Sequence, residues 1–284
     1  MTPDPAEGVA DDGIISTGAS RDNLHPAYAR LLDETVGTLR AALGPALHSV
    51  YVYGSVATGQ ARPPRSDLDV VAVTTTDLDR SVDDIADDLT ARHRSLVREV
   101  GIGSVSLETL GRSDLNGCAE RCFLKHYCVH LAGPDIRSEF ASCRPPLALA
   151  VGFNGNLGTV LAQLREQLVA SPSEPVRHKL VTRACRKILM SAATVLSVRE
   201  GGWSTDRVAA VGLITRHNAA LGLLAQRALA FCDPTSMPAR AEGGCRSSSA
   251  SEDGYPTNTP TRTRTDLVVS GSPAECGAGA GAAC

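Results

Sequence analysis

The chain has 284 residues, of which 43% are hydrophobic and 21% charged, and its 28 basic and 31 acidic residues give a net charge of -3. This composition is typical of a soluble globular protein and excludes a collagen-like or wholly disordered chain. The charge balance argues against general nucleic-acid binding. The sequence has neither a run of about 18 apolar residues nor an apolar signal region, which predicts no membrane span and a cytoplasmic location.

The first half of the chain predicts a small α/β unit. Residues 1–23 are polar and Gly-rich, and we expect them to form a disordered lead. Apolar residues at steps of three and four then predict a helix that ends near Gly44. Further patterns predict strands at 50–53, 68–73, 104–110 and 127–131, with a helix at 78–100 between the second and third. We expect a mixed-sheet domain at 24–146.

The second half of the chain predicts helices alone. Helical periodicity occurs in four segments, which are 147–169, 176–198, 205–217 and 220–231. We therefore expect an all-helical domain at 147–233. Residues 234–284 hold few large apolar side chains, so we expect a disordered tail there. Its Ser, Thr, Gly and Arg composition is what a shifted reading frame in a GC-rich gene yields.

The segment from Tyr53 to Asp69 carries the chemistry that the sequence predicts. A strand ends in Gly54-Ser55, where glycine allows close approach of the backbone and the following amides can face a phosphate. After an intervening loop come Asp67 and Asp69, one residue apart at the start of a strand. The two-residue period of a strand aims both carboxylates to one side, roughly 6 to 7 Å apart.

Paired carboxylates at this spacing suit one or two Mg²⁺ ions, which orient a triphosphate for displacement at phosphorus. The alternative for an isolated Asp-x-Asp is a solvated strand start. The strand and Gly54-Ser55 before the pair and the apolar strand after it favour the metal site. Arg62 and Arg65 lie in the linking loop, where they either neutralise phosphate oxygens or belong to a solvated turn.

At these residues the sequence resembles the nucleotidyltransferase superfamily that includes DNA polymerase beta and the aminoglycoside nucleotidyltransferases. The shared pattern is Gly-Ser, about ten residues, then Asp-x-Asp. The resemblance implies that Gly54 and Ser55 hold the nucleotide phosphates and that Asp67 and Asp69 bind magnesium. It also implies a helical second domain, because Trp203-Ser204-Thr205-Asp206-Arg207 looks like part of the streptomycin- and spectinomycin-modifying enzymes.

The superfamily adds a third carboxylate on the next strand, which helps to bind metal and acts as a base toward the acceptor hydroxyl. Glu108 is the predicted residue and Glu99 is the fallback, whereas an exposed edge carboxylate is the simpler interpretation of Glu108. Trp203 and Asp206 are predicted to bind the acceptor between the domains. The alternative is that Asp206 caps a helix and Trp203 packs in the core.

The predicted function is transfer of a nucleoside monophosphate, from ATP, to a hydroxyl of a small aminoglycoside-like acceptor, with Mg²⁺ as cofactor and pyrophosphate as product. One alternative is adenylylation of a protein, as in toxin-antitoxin pairs. The other is a catalytically weak nucleotide-binding module. Nine cysteines at irregular spacing predict reduced thiols, and the steps of four from Cys118 to His130 are a weak zinc pattern that a strand at 127–131 interrupts.

Overall fold

The computed structural model of the chain describes residues 4–78, 81–154, 157–171 and 173–232. The tail predicted at 234–284 lies outside the described residues. The described part is a mixed α/β protein, which confirms the fold class that the sequence predicts. Its strands are β1 Gly8–Val9, β2 Ile15–Ser16, β3 Leu47–Tyr53, β4 Leu68–Thr74, β5 Val100–Ser106 and β6 Val129–Ala132.

Helices connect the strands in the first part of the chain, and the described second part is helical. In the first part they are α1 Ala29–Leu43, α2 Gly54–Ala57, α3 Asp83–Arg92, α4 Leu107–Gly111 and α5 Leu115–Tyr127. In the second part they are α6 Leu147–Asn154, α7 Leu157–Ala170, α8 Glu174–Arg199, α9 Arg207–His217 and α10 Ala219–Phe231. All four predicted helical segments of the second half are therefore confirmed, the first as two helices.

Four strands form the main sheet in the order β5-β4-β3-β6. Strand β3 pairs antiparallel with both β4 and β6, whereas β4 and β5 are parallel. A parallel pair needs a crossover connection, and α3 supplies it. The sheet is mixed, and β3 ends at the edge where β4 and β5 begin.

Each face of the sheet is covered by a different apolar cluster, because successive side chains of a strand point to opposite faces. The first cluster joins α1 and α3 to one face, through residues such as Leu31, Leu89 and Val70. The second cluster joins α5 and α6 to the other face and contains Val71, Phe123, Phe153 and Trp203.

The segment 147–170 is long and apolar enough to cross a membrane by length and composition alone. However, Leu149, Ala150 and Phe153 of α6 are buried in the second cluster, against α5 and Trp203. Helix α6 is therefore a core helix of this fold. The predicted division between domains at 146 and 147 stays a prediction.

The third strand of the predicted sheet and the helix before it occupy different residues from those that the sequence predicts. The predicted helix at 78–100 is shorter, because α3 ends at Arg92, and β5 begins at Val100 with Val100 and Ile102 packed in the first cluster. The strand predicted at 104–110 ends at Ser106 because the Ser106 hydroxyl accepts from Thr109 N and so caps α4. Glu108 therefore lies on a helix, not on a strand.

The lead predicted to be disordered is instead folded over residues 4–23. Strands β1 and β2 form an antiparallel pair, and Ile15 N donates to Cys143 O at 2.9 Å. Glu7 Oε2 accepts from Thr205 N at 2.8 Å, which connects this lead to the turn before α9. Composition did not predict a folded lead because a single buried residue, Ile15, packs this segment against the second apolar cluster.

Candidate functional site

Asp69 lies between Gly54, which directly follows β3, and Gly101 of β5. It pairs with Tyr53 of β3 on one side and with Gly101 of β5 on the other. A Cβ atom added to Gly54 would lie 2.7 Å from Asp69 Oδ2, and one added to Gly101 would lie 3.4 Å from Asp69 Oδ1. The carboxylate therefore occupies a space that side chains at both positions would narrow.

Gly54 makes this approach possible by its backbone conformation. Its φ of +69° lies in the left-handed region, which residues with a Cβ atom rarely adopt. The residue directly follows β3 and begins the short helix α2, and Ser55 beside it is buried. Arg65, the third predicted nucleotide-binding residue, is exposed in the turn that begins at Arg62.

Asp67 lies just before β4 and forms a two-point ion pair with Arg98. Arg98 Nε donates to Oδ1 at 2.9 Å, and Arg98 Nη2 donates to Oδ2 at 2.5 Å. The backbone supports the same junction, because Arg98 N donates to Ser66 O and Leu68 N donates to Glu99 O. A bidentate pair fixes both planar groups, so Asp67 is held in one orientation.

Two further arginines lie near Arg98, although they come from helices of the second half of the chain. Burial lowers the pKa of Arg207 at the start of α9, and the next largest cause is the positive charge of Arg186 on α8. The charge of Arg98 acts in the same direction. Because like charges shift a pKa only at short range, Arg98 and Arg186 both lie near Arg207, and we call these three residues the arginine cluster. Arg98 is the member that pairs with Asp67.

The sequence offered no signal for this arginine cluster. Arg98 lies in the loop before β5, Arg186 on α8 and Arg207 on α9, and neither periodicity nor spacing relates them. Three like charges gathered at one place repel each other, so the arrangement is favourable only when anions neutralise it. Asp67 supplies a negative charge to Arg98, and the charge of Asp206 acts on Arg207.

The face of β5 beside Asp69 carries no carboxylate within the described chain. Residues 101, 103 and 105 share that face by register and are Gly, Gly and Val. Glu108 is exposed on α4, and Glu99 is exposed before β5. Among the described residues, no three His, Cys, Asp or Glu side chains come close enough together to hold a metal ion.

Comparison with known proteins gives one kind of match. No family model matches the sequence, and no curated protein matches it. The solved structure of spectinomycin adenyltransferase AAD(9) from Enterococcus faecialis with ATP and spectinomycin is similar at 13% identity and a TM-score of 0.38, over 70% of this chain and 98% of that chain. A likeness of this size transfers no residue roles, which therefore have to come from this chain's own geometry.

Two carboxylates without a third are still compatible with magnesium, because Mg²⁺ is usually held by one or two carboxylates together with substrate phosphates. Asp67 and Asp69 are the residues that would hold it here. Arg98 engages both oxygens of Asp67 in this structure. Binding of a cation at Asp67 would therefore compete with Arg98 and release its guanidinium toward other anions.

Trp203 and Asp206 adopt the structural arrangement that the sequence left open as an alternative. Trp203 is buried, and its indole Nε1 donates to Tyr127 Oη at 2.5 Å. Asp206 Oδ1 accepts from Ala209 N at 2.7 Å and caps α9. Trp203 also lines a cavity of about 390 Å³.

Glu7 completes this arrangement, and the sequence did not predict its role. Its Oε1 accepts from Tyr127 Oη at 2.8 Å and from Thr205 Oγ1 at 2.5 Å. Burial, and then the negative charge of Glu7, raise the pKa of Tyr127 well above its usual value. Tyr127 therefore keeps its proton and acts as a donor to Glu7, which joins the lead, α5 and the turn before α9.

Proposed function

We propose that the protein is a magnesium-dependent nucleotidyltransferase that moves the nucleoside monophosphate of ATP to a hydroxyl of a small aminoglycoside-like acceptor and releases pyrophosphate. The observation that carries the proposal is the position of Asp69, in a gap between Gly54 and Gly101 and next to the Asp67–Arg98 pair. A metal-bound polyphosphate needs carboxylates that hold the cation and basic groups that hold the phosphate oxygens. The Asp67 and Asp69 pair and the arginine cluster would provide both.

The arginine cluster supplies the anion side of this mechanism. Arg98, Arg186 and Arg207 would bind the non-transferred phosphates, because guanidinium groups match phosphate oxygens in geometry and charge. Gly54 and Ser55 would take the phosphate nearest the sheet, as their motif implies. These contacts orient the triphosphate and neutralise the pyrophosphate as it leaves.

Asp67 and Asp69 supply the cation side. Magnesium held by them would stabilise the negative charge that develops on the attacking and leaving oxygens. The two carboxylates themselves would fix the position of the reacting phosphate against the strand edge. If Asp67 held the cation in place of Arg98, the arginine would be available to the phosphates, so nucleotide and metal are expected to bind together.

Trp203 and Asp206 stay the predicted acceptor residues. Asp206 uses Oδ1 for its cap and is only partly buried, so its carboxylate keeps capacity for a cationic amine of an aminocyclitol. Asp206 directly precedes Arg207 of the arginine cluster, so the predicted acceptor and nucleotide contacts come from adjacent residues of the sequence. The proposed location is the cytoplasm, where ATP is available.

A second candidate function is supported by β5. The residues that share the Asp69 face on this strand are Gly101, Gly103 and Val105, and the predicted base Glu108 lies on α4. A site that lacks a positioned base binds nucleotide yet transfers slowly. The chain would then be a nucleotide-binding module with weak catalysis.

One experiment separates the two functions. The full chain is incubated with labelled ATP, magnesium and a panel of aminocyclitols, and the products are analysed by mass. Transfer predicts an acceptor that gains one adenylyl group together with release of pyrophosphate. Saturable ATP binding without pyrophosphate release would favour the binding module, and no ATP binding would contradict both functions.

A further inference from the structure

A face of α5 meets the segment before α6 through two cysteines and a histidine. Cys122 and His126 are four residues apart on α5, so they lie one helical turn from each other on one face. The backbone N–H of Cys143 donates to His126 Nε2 at 2.9 Å. Cys122 is buried at 0% exposure, whereas Cys143 packs against the same apolar cluster and is partly exposed.

The side chains of Cys122 and Cys143 lie within hydrogen-bonding reach of each other. The Cys122 thiol hydrogen-bonds to the sulfur of Cys143, and this bond is the largest cause that lowers the pKa of Cys143 to about 5. Burial opposes the shift, whereas a hydrogen bond with His126 and then the charges of His126 and Arg121 support it. Cys143 is therefore a thiolate at neutral pH.

The histidine contributes through its position. His126 Nε2 accepts the backbone N–H of Cys143, so the ring lies directly against that residue. The Cys143 thiolate is stabilised first by the Cys122 thiol, then by His126, and least by Arg121. His126 holds the backbone of Cys143 against α5 and so keeps the two sulfur atoms together.

We propose that Cys122 and Cys143 form a reversible redox pair that hydrogen peroxide converts to a disulfide. The Cys143 thiolate attacks one peroxide oxygen, so an S–O bond forms, the O–O bond breaks and hydroxide leaves. The Cys122 thiol then attacks the sulfenic sulfur of Cys143. The S–S bond forms, the S–O bond breaks, and the thiol proton leaves with the hydroxyl as water. The sulfur atoms lose two electrons and peroxide gains them.

The two positions divide the chemistry between them. Cys143 is partly exposed, which gives peroxide access, whereas buried Cys122 supplies the second sulfur from within the cluster. Cys143 O also accepts from Ile15 N of β2. A disulfide would therefore fasten the segment before α6, and the folded lead with it, to α5.

A second cysteine pair in the same chain serves as an internal control. Cys185 and Cys232 belong to the third apolar cluster of the helical part. Burial raises the pKa of both thiols, and each is expected to stay protonated at neutral pH. A thiol reacts with peroxide through its thiolate, so this pair should oxidise far more slowly than Cys122 and Cys143.

The first test measures alkylation of the full chain by iodoacetamide at pH 6 and pH 8, with each cysteine read by peptide mass. For Cys143 we expect a change in rate of less than about twofold, because it is already a thiolate at pH 6. For Cys185 we expect a rise of roughly a hundredfold over the same range. Equal pH dependence at the two positions would overturn the proposal.

The second test treats the full chain with hydrogen peroxide and digests it with trypsin. We expect a reducible cross-link between the peptides that contain Cys122 and Cys143, with a mass lower by two hydrogens, while Cys185 and Cys232 stay alkylatable. In Cys122→Ser, dimedone should trap a sulfenic acid at Cys143. Oxidation of Cys185 before Cys143, or a cross-link from Cys143 to Cys118 instead, would contradict the assignment.

Discussion

Replacing Gly54 by alanine tests whether the gap around Asp69 is functional. The added Cβ would lie 2.7 Å from Asp69 Oδ2, which is closer than such atoms approach, so the carboxylate would have to move. The φ of +69° adds a backbone cost of about 1 to 2 kcal/mol for a residue with a Cβ atom. A protein of this size loses roughly 2 to 4 °C of Tm for each kcal/mol.

Gly201→Ala is the matched control for the backbone cost. Gly201 has a φ of +81°, and a Cβ atom there would meet nothing within 4 Å. Both variants should therefore lose similar stability in thermal melts. Only Gly54→Ala should also lose activity, by more than about tenfold in pyrophosphate release, which corresponds to about 1.4 kcal/mol of barrier. If Gly54→Ala keeps wild-type turnover, or if both variants lose it equally, Asp69 does not depend on this gap.

Three other substitutions test separate parts of the account. Glu7→Ala should lower the free energy of unfolding by about 3 kcal/mol in denaturant titrations, because Tyr127 and Thr205 lose their hydrogen bonds to a charged acceptor. A loss below about 1 kcal/mol would show that the lead contributes little to stability. Asp206→Asn keeps the cap and should weaken acceptor affinity alone, whereas Asp206→Ala should also cost about 1 kcal/mol of stability; equal losses of ATP and acceptor affinity in Asp206→Asn would point to a purely structural role. Arg98→Ala should weaken ATP binding about tenfold by calorimetry, as expected for a lost charged hydrogen bond, while exposed Arg94→Ala leaves it unchanged; an equal effect of both would refute the cluster as a phosphate site.

The elements whose signal is local were predictable from the sequence. Helix α1 ends at Leu43 before Gly44-Pro45, and β3 and β4 lie where apolar β-branched runs predicted them. The Asp-x-Asp pair at the start of β4 followed from the same strand signal. Local periodicity and turn residues decide such elements, so tertiary contacts are not needed to find them.

The remainder depends on contacts between distant segments, which no local pattern encodes. The start of β5 was predicted too late because Val100 also fits the apolar stripe of the preceding helix. Only the parallel register with β4 assigns Val100 to the sheet. That register also brings Gly101 beside Asp69. The arginine cluster and the contacts of Glu7 join residues that are about a hundred or more positions apart, from Arg98 to Arg207 and from Glu7 to Thr205.

The central claim is that Asp67 and Asp69 hold the metal for nucleotidyl transfer. The direct measurement is pyrophosphate release at saturating magnesium and ATP, with the acceptor found in the panel, for wild type, Asp67→Asn, Asp69→Asn and the exposed control Asp77→Asn. Asparagine keeps the shape of the side chain but removes the charge that a hard cation requires. All variants should fold, since a partly exposed pair such as Asp67–Arg98 contributes at most about 1 kcal/mol.

The account predicts that Asp67→Asn and Asp69→Asn each lose more than about tenfold in turnover, which is a barrier increase above about 1.4 kcal/mol, while Asp77→Asn keeps the wild-type rate. Retention of more than about a tenth of the wild-type rate in either site variant, with the control unchanged, would contradict the assignment of the two carboxylates to the metal.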